Sequence, residues 1–555
     1  MDQHQQQTRV LIVGAGTGGT AMAARLARRG MAVTVVEKNE FVGGRCSLIE
    51  KDGFRFDQGP SMLMMPHAFE QTFADLGCQM SKVLDVRKCK TNYKIHFPDG
   101  DNITLSTDMT AMKDELERIE PGSFDGYLGF LREAKYHHDK SFSMVLNRNY
   151  KHWWDLVTIE NAIEACKLHI LSTVWNRTKT FFKSDKLRKA FSFQSMYMGM
   201  SPYEAPGAYT LLDYSEATDG ILYPMGGFNT VIKAMESIAK SNGATFRYSC
   251  PVKSIIVDQP SKLATGVLLE NGEELRADIV VCNMDLVTAY SRLLPPTQIT
   301  RSILKKNQSC STISFYWGLD RKLPEDAFHG HNIFLAQDYK PSFDAIFKDH
   351  SLPESPSFYV QIPTRVDAAA APEGKESVTI LVPIGVLTDA MTPQLMQALV
   401  ARARAVVIEN MQKRIPGCND FEKWIESETV NTPFDWEEKF NLWNGSALGL
   451  SHEIMQVLYF RPQMRHEVFG NVFFVGASTH PGTGVPVVLC GARILEDEIA
   501  GVLAEGNGFK HQKLFGVFGY ELAMSMTVFL ALVSAFVLAV AVDMGLGKQV
   551  VIKAL

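Results

Sequence analysis

The apolar run Val10-Leu11-Ile12-Val13 is too short for a helix and is closed by glycine, so it predicts a strand buried on both faces. Gly14-Ala15-Gly16-Thr17-Gly18-Gly19, an alanine-rich helical stretch and Val33-Thr34-Val35-Val36-Glu37 follow, giving strand, tight turn, helix, second strand. From about Phe69 to Tyr223 a strand and turn at Lys94-Ile95-His96-Phe97-Pro98-Asp99-Gly100 is set among helical patterns rich in Met, Phe, Tyr and Trp. Tyr223-Pro224-Met225-Gly226-Gly227-Phe228 opens a further helix ending near Gly243. Strands are then expected over 252–257 and 264–269, with an Asn271-Gly272 turn, and Ala277-Asp278-Ile279-Val280-Val281-Cys282-Asn283 returns to the first sheet. Asn471-Val472-Phe473-Phe474-Val475-Gly476 adds another buried strand before a loop rich in glycine and proline. Leu522 to Val542 runs without a charge between Glu521 and Asp543, long enough for a hydrocarbon core of roughly 30 Å, and is expected to be a transmembrane tail anchor.

With 555 residues the chain is long enough for more than one domain. Its net charge of −5, with no basic block, argues against nucleic acid as a partner. None of the 9 cysteines forms a Cys-x-x-Cys pair, so neither a disulfide framework nor a zinc site is expected and no metal is assigned. The polar N-terminus leads into the first strand without a signal peptide.

The turn between the first strand and helix carries the first chemistry. Gly14 permits the sharp bend, Gly16 lets backbone approach a pyrophosphate, and Gly19 allows helix and strand to pack closely, while Glu37 ends the second strand where a carboxylate accepts ribose hydroxyls. A nicotinamide domain normally continues into another helix. Here Gly43-Gly44-Arg45 follows, which favours FAD over NAD, with Gly44 as close backbone and Arg45 as a charged fork for pyrophosphate. Gly59, Pro60 and Ser61 make a turn expected near the isoalloxazine ring. The second constellation spans 474–486: Gly476, Thr479, Gly484 and Val485 bring backbone N–H groups and a helix N-terminus toward the flavin, and His480 lies in the same loop. The expected fold class is α/β, a discontinuous Rossmann-like FAD-binding domain (8–75, 224–300 and 465–505) with an inserted mixed α+β substrate domain (76–223 and 301–464) and a C-terminal transmembrane helix (522–542).

From about Arg9 to Gly501 the chain resembles the bacterial- and fungal-type phytoene desaturases of the flavin amine oxidase superfamily. The residues carrying the likeness run from the glycine turn through Arg45, then Phe56-Asp57-Gln58-Gly59-Pro60-Ser61, Tyr223-Pro224-Met225-Gly226-Gly227, His331-Asn332-Ile333-Phe334, Pro356-Ser357-Phe358-Tyr359-Val360, Ala371-Pro372-Glu373-Gly374-Lys375, Phe460-Arg461-Pro462 and Ser478 to Pro486. Ser61 stands where the family usually has threonine, and Gln361 where relatives often carry histidine. The resemblance implies desaturation of phytoene by hydride loss to FAD, introducing several conjugated double bonds on the way to lycopene or 3,4-didehydrolycopene. It implies a quinone or oxygen as the final acceptor, a lipid bilayer as the source of substrate, and a homo-oligomer or a complex with other carotenoid enzymes. His331, His480 and Arg461 are the catalytic candidates, by their expected nearness to flavin or substrate. Recognition of so apolar a molecule rests on burial, ~0.8 kcal/mol per methylene, and Phe191, Phe193, Met196, Tyr197, Met198 and Met200 are candidates to line the tunnel. The expected location is a membrane, through the C-terminal anchor, with the body in the cytosol at the endoplasmic reticulum. A carotenoid isomerase or saturase, an amine oxidase and a non-catalytic prenyl-lipid escort protein stay open as alternatives.

Overall fold

The computed structural model describes residues 7–505 except 151, 153, 154 and 157. Arg9–Val13 lies at the centre of a five-stranded parallel sheet, between Ile279–Cys282 on one side and Ala32–Val36 on the other, with Val472–Phe474 and Thr245–Arg247 at the edges. Strands from widely separated parts of the sequence thus share one sheet, because each is an apolar run that must be buried on both faces. The helix Thr17–Arg28 covers one face through Ala21, Met22, Ala23, Ala24 and Leu26, all fully buried. Those small side chains let the helices Asn229–Ser241 and Val485–Ala504 pack closely against it. Arg25, buried on the same helix, donates to Asp75 and Glu496 at 2.8 Å each, so its charge is paired on both sides.

A seven-stranded mixed sheet forms the second layer, in the order Ile425–Asn431, Ser311–Leu319, Glu376–Ile384, Phe358–Gln361, His331–Phe334, Tyr93–His96, Asn102–Leu105. All its pairs are antiparallel except His331–Phe334 with Tyr93–His96. The expected strand around Lys94 therefore lies between His331–Phe334 and the edge strand Asn102–Leu105 in a sheet built mostly from much later residues. Val252–Asp258, Leu263–Leu269 and Glu274–Arg276 make a separate antiparallel meander, with Gly272 at φ +89° in the expected turn. One boundary differs from the sequence expectation. Leu222–Pro224 is a short strand paired with Val86–Lys88, and the helix begins only at Asn229, because Gly226 and Gly227 take φ of +87° and +90° and hold the intervening segment as a turn.

The expected C-terminal anchor finds no support in the described residues, and the membrane location read from it is withdrawn. Among the described residues no helix is long and apolar enough to cross a membrane. The longest helices, Pro393–Arg414 and Val485–Ala504, carry Arg402, Arg404 and Glu409, or Arg493, Glu496 and Asp497, in their interiors, where hydrocarbon would not tolerate them. The segment 522–542 lies outside the described residues. Neither the single-pass arrangement nor the location drawn from it is retained.

Candidate active site

Both large sheets face one continuous cavity of about 920 Å³. Its two ends differ chemically.

At one end Gly14, Gly16, Glu37, Gly44 and Arg45 all line the space. Gly14 has φ +96°, the left-handed conformation the bend needs. A Cβ on Gly19 would stand 2.0 Å from the Gly14 carbonyl oxygen, so helix and turn are in backbone contact there; Gly19 packs behind the wall and is not itself lining. A Cβ on Gly16 would meet the Asn283 side chain at 2.8 Å, and one on Gly59 the Arg45 carbonyl at 2.6 Å. The helix that starts at Thr17 has no side-chain cap, which leaves its first N–H groups directed toward the cavity. Glu37 is 7 % exposed. One of its oxygens accepts from Ala15 N–H at 2.8 Å and the other from Asn39 N–H at 2.9 Å and the Asn39 amide at 3.0 Å, so the turn fixes the carboxylate before any ligand arrives. Arg45 donates to the Ala447 carbonyl at 2.5 Å, has no ion pair among the described residues, and is pushed below its ordinary pKa by burial. A half-satisfied, half-buried guanidinium at a glycine cradle calls for an anion. These features fit the pyrophosphate and ribose of FAD.

Two sites of closure were not legible beforehand. Asn283, after the strand Ile279–Cys282, fills the gap left by Gly16 and Gly18; a Cβ on Gly18 would lie 2.4 Å from its side-chain oxygen. Cys250, Pro251 and Val252, at the entry to the meander, also line the cavity. Each follows or precedes a predicted strand, but only the tertiary fold brings them to the glycine turn.

The loop over 476–484 closes the middle. Gly476, Thr479, Gly484 and Val485 line the cavity, and the helix Val485–Ala504 begins there with no side-chain cap, presenting its positive end. Arg461, 1 % exposed, lies behind this loop. Its Nε donates to Thr479 O at 3.0 Å, Nη1 to Ser451 O at 3.1 Å and Gln456 O at 3.0 Å, and Nη2 to Leu450 O at 3.3 Å and Ala477 O at 2.5 Å. Burial lowers its pKa to about 10. Five donors are thus committed to backbone carbonyls, and the side chain clamps the loop to the 450–456 segment. His480 is equally recessed: Nε2 donates to the Arg148 carbonyl at 2.7 Å, and burial pulls its pKa to about 4. His452, which did not stand out in the sequence, accepts from Thr483 N–H at 3.0 Å, and Ser478 Oγ accepts from Leu450 N–H at 3.1 Å.

Asp57 joins the remaining motifs. Its oxygens accept from Phe228 N–H at 2.7 Å, Tyr223 OH at 2.7 Å and Gln361 Nε2 at 3.2 Å. Burial raises its pKa against those bonds. Gln361 therefore fills a structural place in this chain. Ser61 hydrogen-bonds the Tyr359 hydroxyl at 2.9 Å, and Tyr359 in turn meets His331 Nδ1 at 2.7 Å, with Cys89 Sγ 3.6 Å from His331 Nε2. Gly59, Pro60, Ser61 and Tyr359 line the cavity, whereas His331 stands one layer behind, held neutral by burial with a pKa near 3.

The other end is apolar. Met62, Met196, Leu212, Ile333, Leu335 and Phe343 line it, and its polar groups are the tyrosine hydroxyls and serines among them. Of the tunnel candidates, Phe193, Met196, Tyr197 and Met198 face the cavity, while Phe191 and Met200 are buried away from it.

A nucleotide cradle opening without a wall into an apolar gallery defines a flavin-dependent oxidoreductase. The chain belongs to the family of flavin containing amine oxidoreductases, matched over residues 18–489. Within that family it is a member of the phytoene desaturase group. The phytoene desaturase of Phycomyces blakesleeanus is 49 % identical over 496 residues, covering 88 % of this chain and 85 % of that one. That of Fusarium fujikuroi is 46 % identical over 524 residues, covering 91 % and 90 %. Among solved structures, an oxidoreductase from Methanosarcina mazei shares the fold with a TM-score of 0.60 at 15 % identity, covering 88 % of this chain and all of that one.

Proposed function

We propose that this protein is an FAD-dependent phytoene desaturase that introduces conjugated double bonds into phytoene. One observation carries the reading: the cavity that begins at the glycine turn and Arg45 continues without interruption into a gallery whose lining from Phe193 to Met198 and from Ile333 to Tyr359 bears no charged side chain. An amine substrate would need a counter-charge there. A hydrocarbon needs only burial and shape.

Glu37 and the Gly14–Gly19 turn hold the ribose and pyrophosphate, with Arg45 neutralising phosphate charge. Gly59, Pro60 and Ser61 bound the ring end, together with Gly476, Thr479, Gly484 and Val485. FAD supplies a two-electron acceptor for hydride. Around it, the uncapped N-terminus of Val485–Ala504 stabilises negative charge, the Met and Phe side chains exclude water, and the aromatic faces of Phe193 and Tyr197 favour the positive charge that develops on an allylic carbon losing hydride. Arg461 and His480 act by holding the 476–484 loop, and His331 by orienting the Tyr359 hydroxyl. A quinone or oxygen would serve as the final electron acceptor.

Reconstitution of the purified protein with FAD, followed by phytoene in liposomes under anaerobic conditions, tests the proposal. Bleaching of the flavin spectrum with coloured polyenes separable by chromatography is the expected result. A bound flavin that stays oxidised and leaves phytoene unchanged with every acceptor supplied overturns it.

A further inference from the structure

Behind the apolar gallery lies a pair of buried carboxyls. Asp213 and Glu216 sit three residues apart on the helix Leu211–Thr218, 4 % and 3 % exposed. Neither forms an ion pair among the described residues, and both Asp213 oxygens lack any hydrogen-bond partner. Two carboxylates cannot both stay charged in such a place, since each unpaired buried charge is expensive and each raises the cost of the other. The pair must carry protons.

A hydroxyl chain connects it to the cavity. Tyr93 OH donates to Glu216 Oε1 at 3.1 Å, and Tyr197 OH donates to the Tyr93 oxygen. Gln194 Nε2 holds the other Glu216 oxygen at 3.3 Å. Tyr197 lines the gallery, whereas Tyr93, Asp213 and Glu216 do not. The hydroxyls run as donors from Tyr197 to Tyr93 to Glu216, with the Met62 sulfur 3.2 Å from the Tyr93 hydroxyl as a weaker second acceptor. That orientation leaves the Tyr197 oxygen able to accept a proton from the gallery while its own moves inward.

We propose that Tyr197 is the base that takes the proton lost from the substrate carbon, passing its own through Tyr93 to Glu216, with Asp213 and Glu216 as the proton store. This rests on the desaturase reading. Hydride leaves one allylic carbon for FAD. The C–H bond of its neighbour then breaks, and that electron pair becomes the second bond of the new alkene. The proton goes to the Tyr197 oxygen, the Tyr197 proton to Tyr93, and the Tyr93 proton to Glu216 Oε1, from which it reaches solvent between turnovers.

The surrounding charges agree. Burial, with no opposing cation, raises the Glu216 pKa to about 8, and burial followed by repulsion from Glu216 lifts Asp213 well above the ordinary carboxyl range. The groups facing the pair from the packed elements are Tyr93, Gln194, Tyr197, Tyr127 and Tyr339, none of them a lysine or arginine. An acceptor that titrates near the working pH is suited to this task. Because only ionised Glu216 can accept, kcat should rise with pH up to about 8 and level off above it.

The test compares wild type, Glu216→Gln and Tyr197→Phe, all loaded with FAD. Either substitution should lower kcat on phytoene by ~10²-fold with KM little changed, and Glu216→Gln should abolish the alkaline rise. Infrared difference spectra without substrate should show a protonated carboxyl band lost near pH 8 in wild type and absent from Glu216→Gln. Tyr197→Phe keeps the ring and removes only the hydroxyl, so it decides the matter should Glu216→Gln fold poorly. Wild-type kcat and pH profile in both variants, or no carboxyl titrating in that range, overturns the relay. A titrating band in a wild type that leaves phytoene untouched instead overturns the desaturase reading.

Discussion

At the residue scale, what distinguishes this site is which polar groups are already satisfied and which await a ligand. Among the described residues Arg45 has one carbonyl partner and no carboxylate, while Arg461 has five carbonyl partners that take all its donors. Arg45→Ala should therefore weaken FAD binding by about 10- to 100-fold, the worth of one or two charge-assisted hydrogen bonds; flavin titration measures it, with melting of the apoprotein little altered. Arg461→Met should act on stability, by on the order of 3–5 kcal/mol, because buried carbonyls lose their donors, and calorimetry should show the fall without flavin. His480 adds a pH dependence. Its pKa falls from an ordinary 6.5 to about 4 in the folded protein, so the stability of the neutral form is complete above 6.5 and is lost as pH drops toward 4. Between pH 6.5 and 5, wild type should lose about 2 kcal/mol relative to His480→Asn. A difference that stays flat over that range contradicts the buried neutral ring.

At the scale of elements, the first strand, turn and helix were readable because short-range rules fix them: apolar runs make strands, glycine permits the bend, and small residues let helix and strand meet. Gly19 shows how narrow the tolerance is. A methyl group there would stand 2.0 Å from the Gly14 carbonyl, so Gly19→Ala must shift the helix off the strand. We expect protein purified without flavin and melting several degrees lower, against the unchanged behaviour expected of Gly501→Ala, where a Cβ meets nothing within 4 Å and the backbone is helical. The helix after Gly226-Gly227 was placed a few residues too early, since both glycines adopt left-handed backbone and extend the turn to Phe228.

At the scale of the whole molecule, function depends on two sheets enclosing one space. Met196 lies on the helical turn Phe193–Met198 and Leu335 follows the strand His331–Phe334, yet both line the same gallery. Leu335→Trp should narrow it, leaving the flavin spectrum intact while shifting pigments toward fewer double bonds, as read by chromatography. Unaltered products would place the polyene elsewhere. The likeness to the Phycomyces and Fusarium desaturases extends over most of the chain, which matches a fold in which both ends of the sequence build one cofactor sheet.

The amino-acid sequence by itself determined the nucleotide turn, its acid at Glu37, the arginine that follows and the glycine-rich loop near the C-terminus, because each is a local pattern whose chemistry is complete within about a dozen residues. Only the tertiary structure decided that His331, His480 and Arg461 stand behind the cavity wall, that Asn283 closes the glycine turn, and that Tyr197 connects to Glu216 through Tyr93. Burial and hydrogen-bond direction are set by which distant segments meet, and no local spacing encodes that meeting.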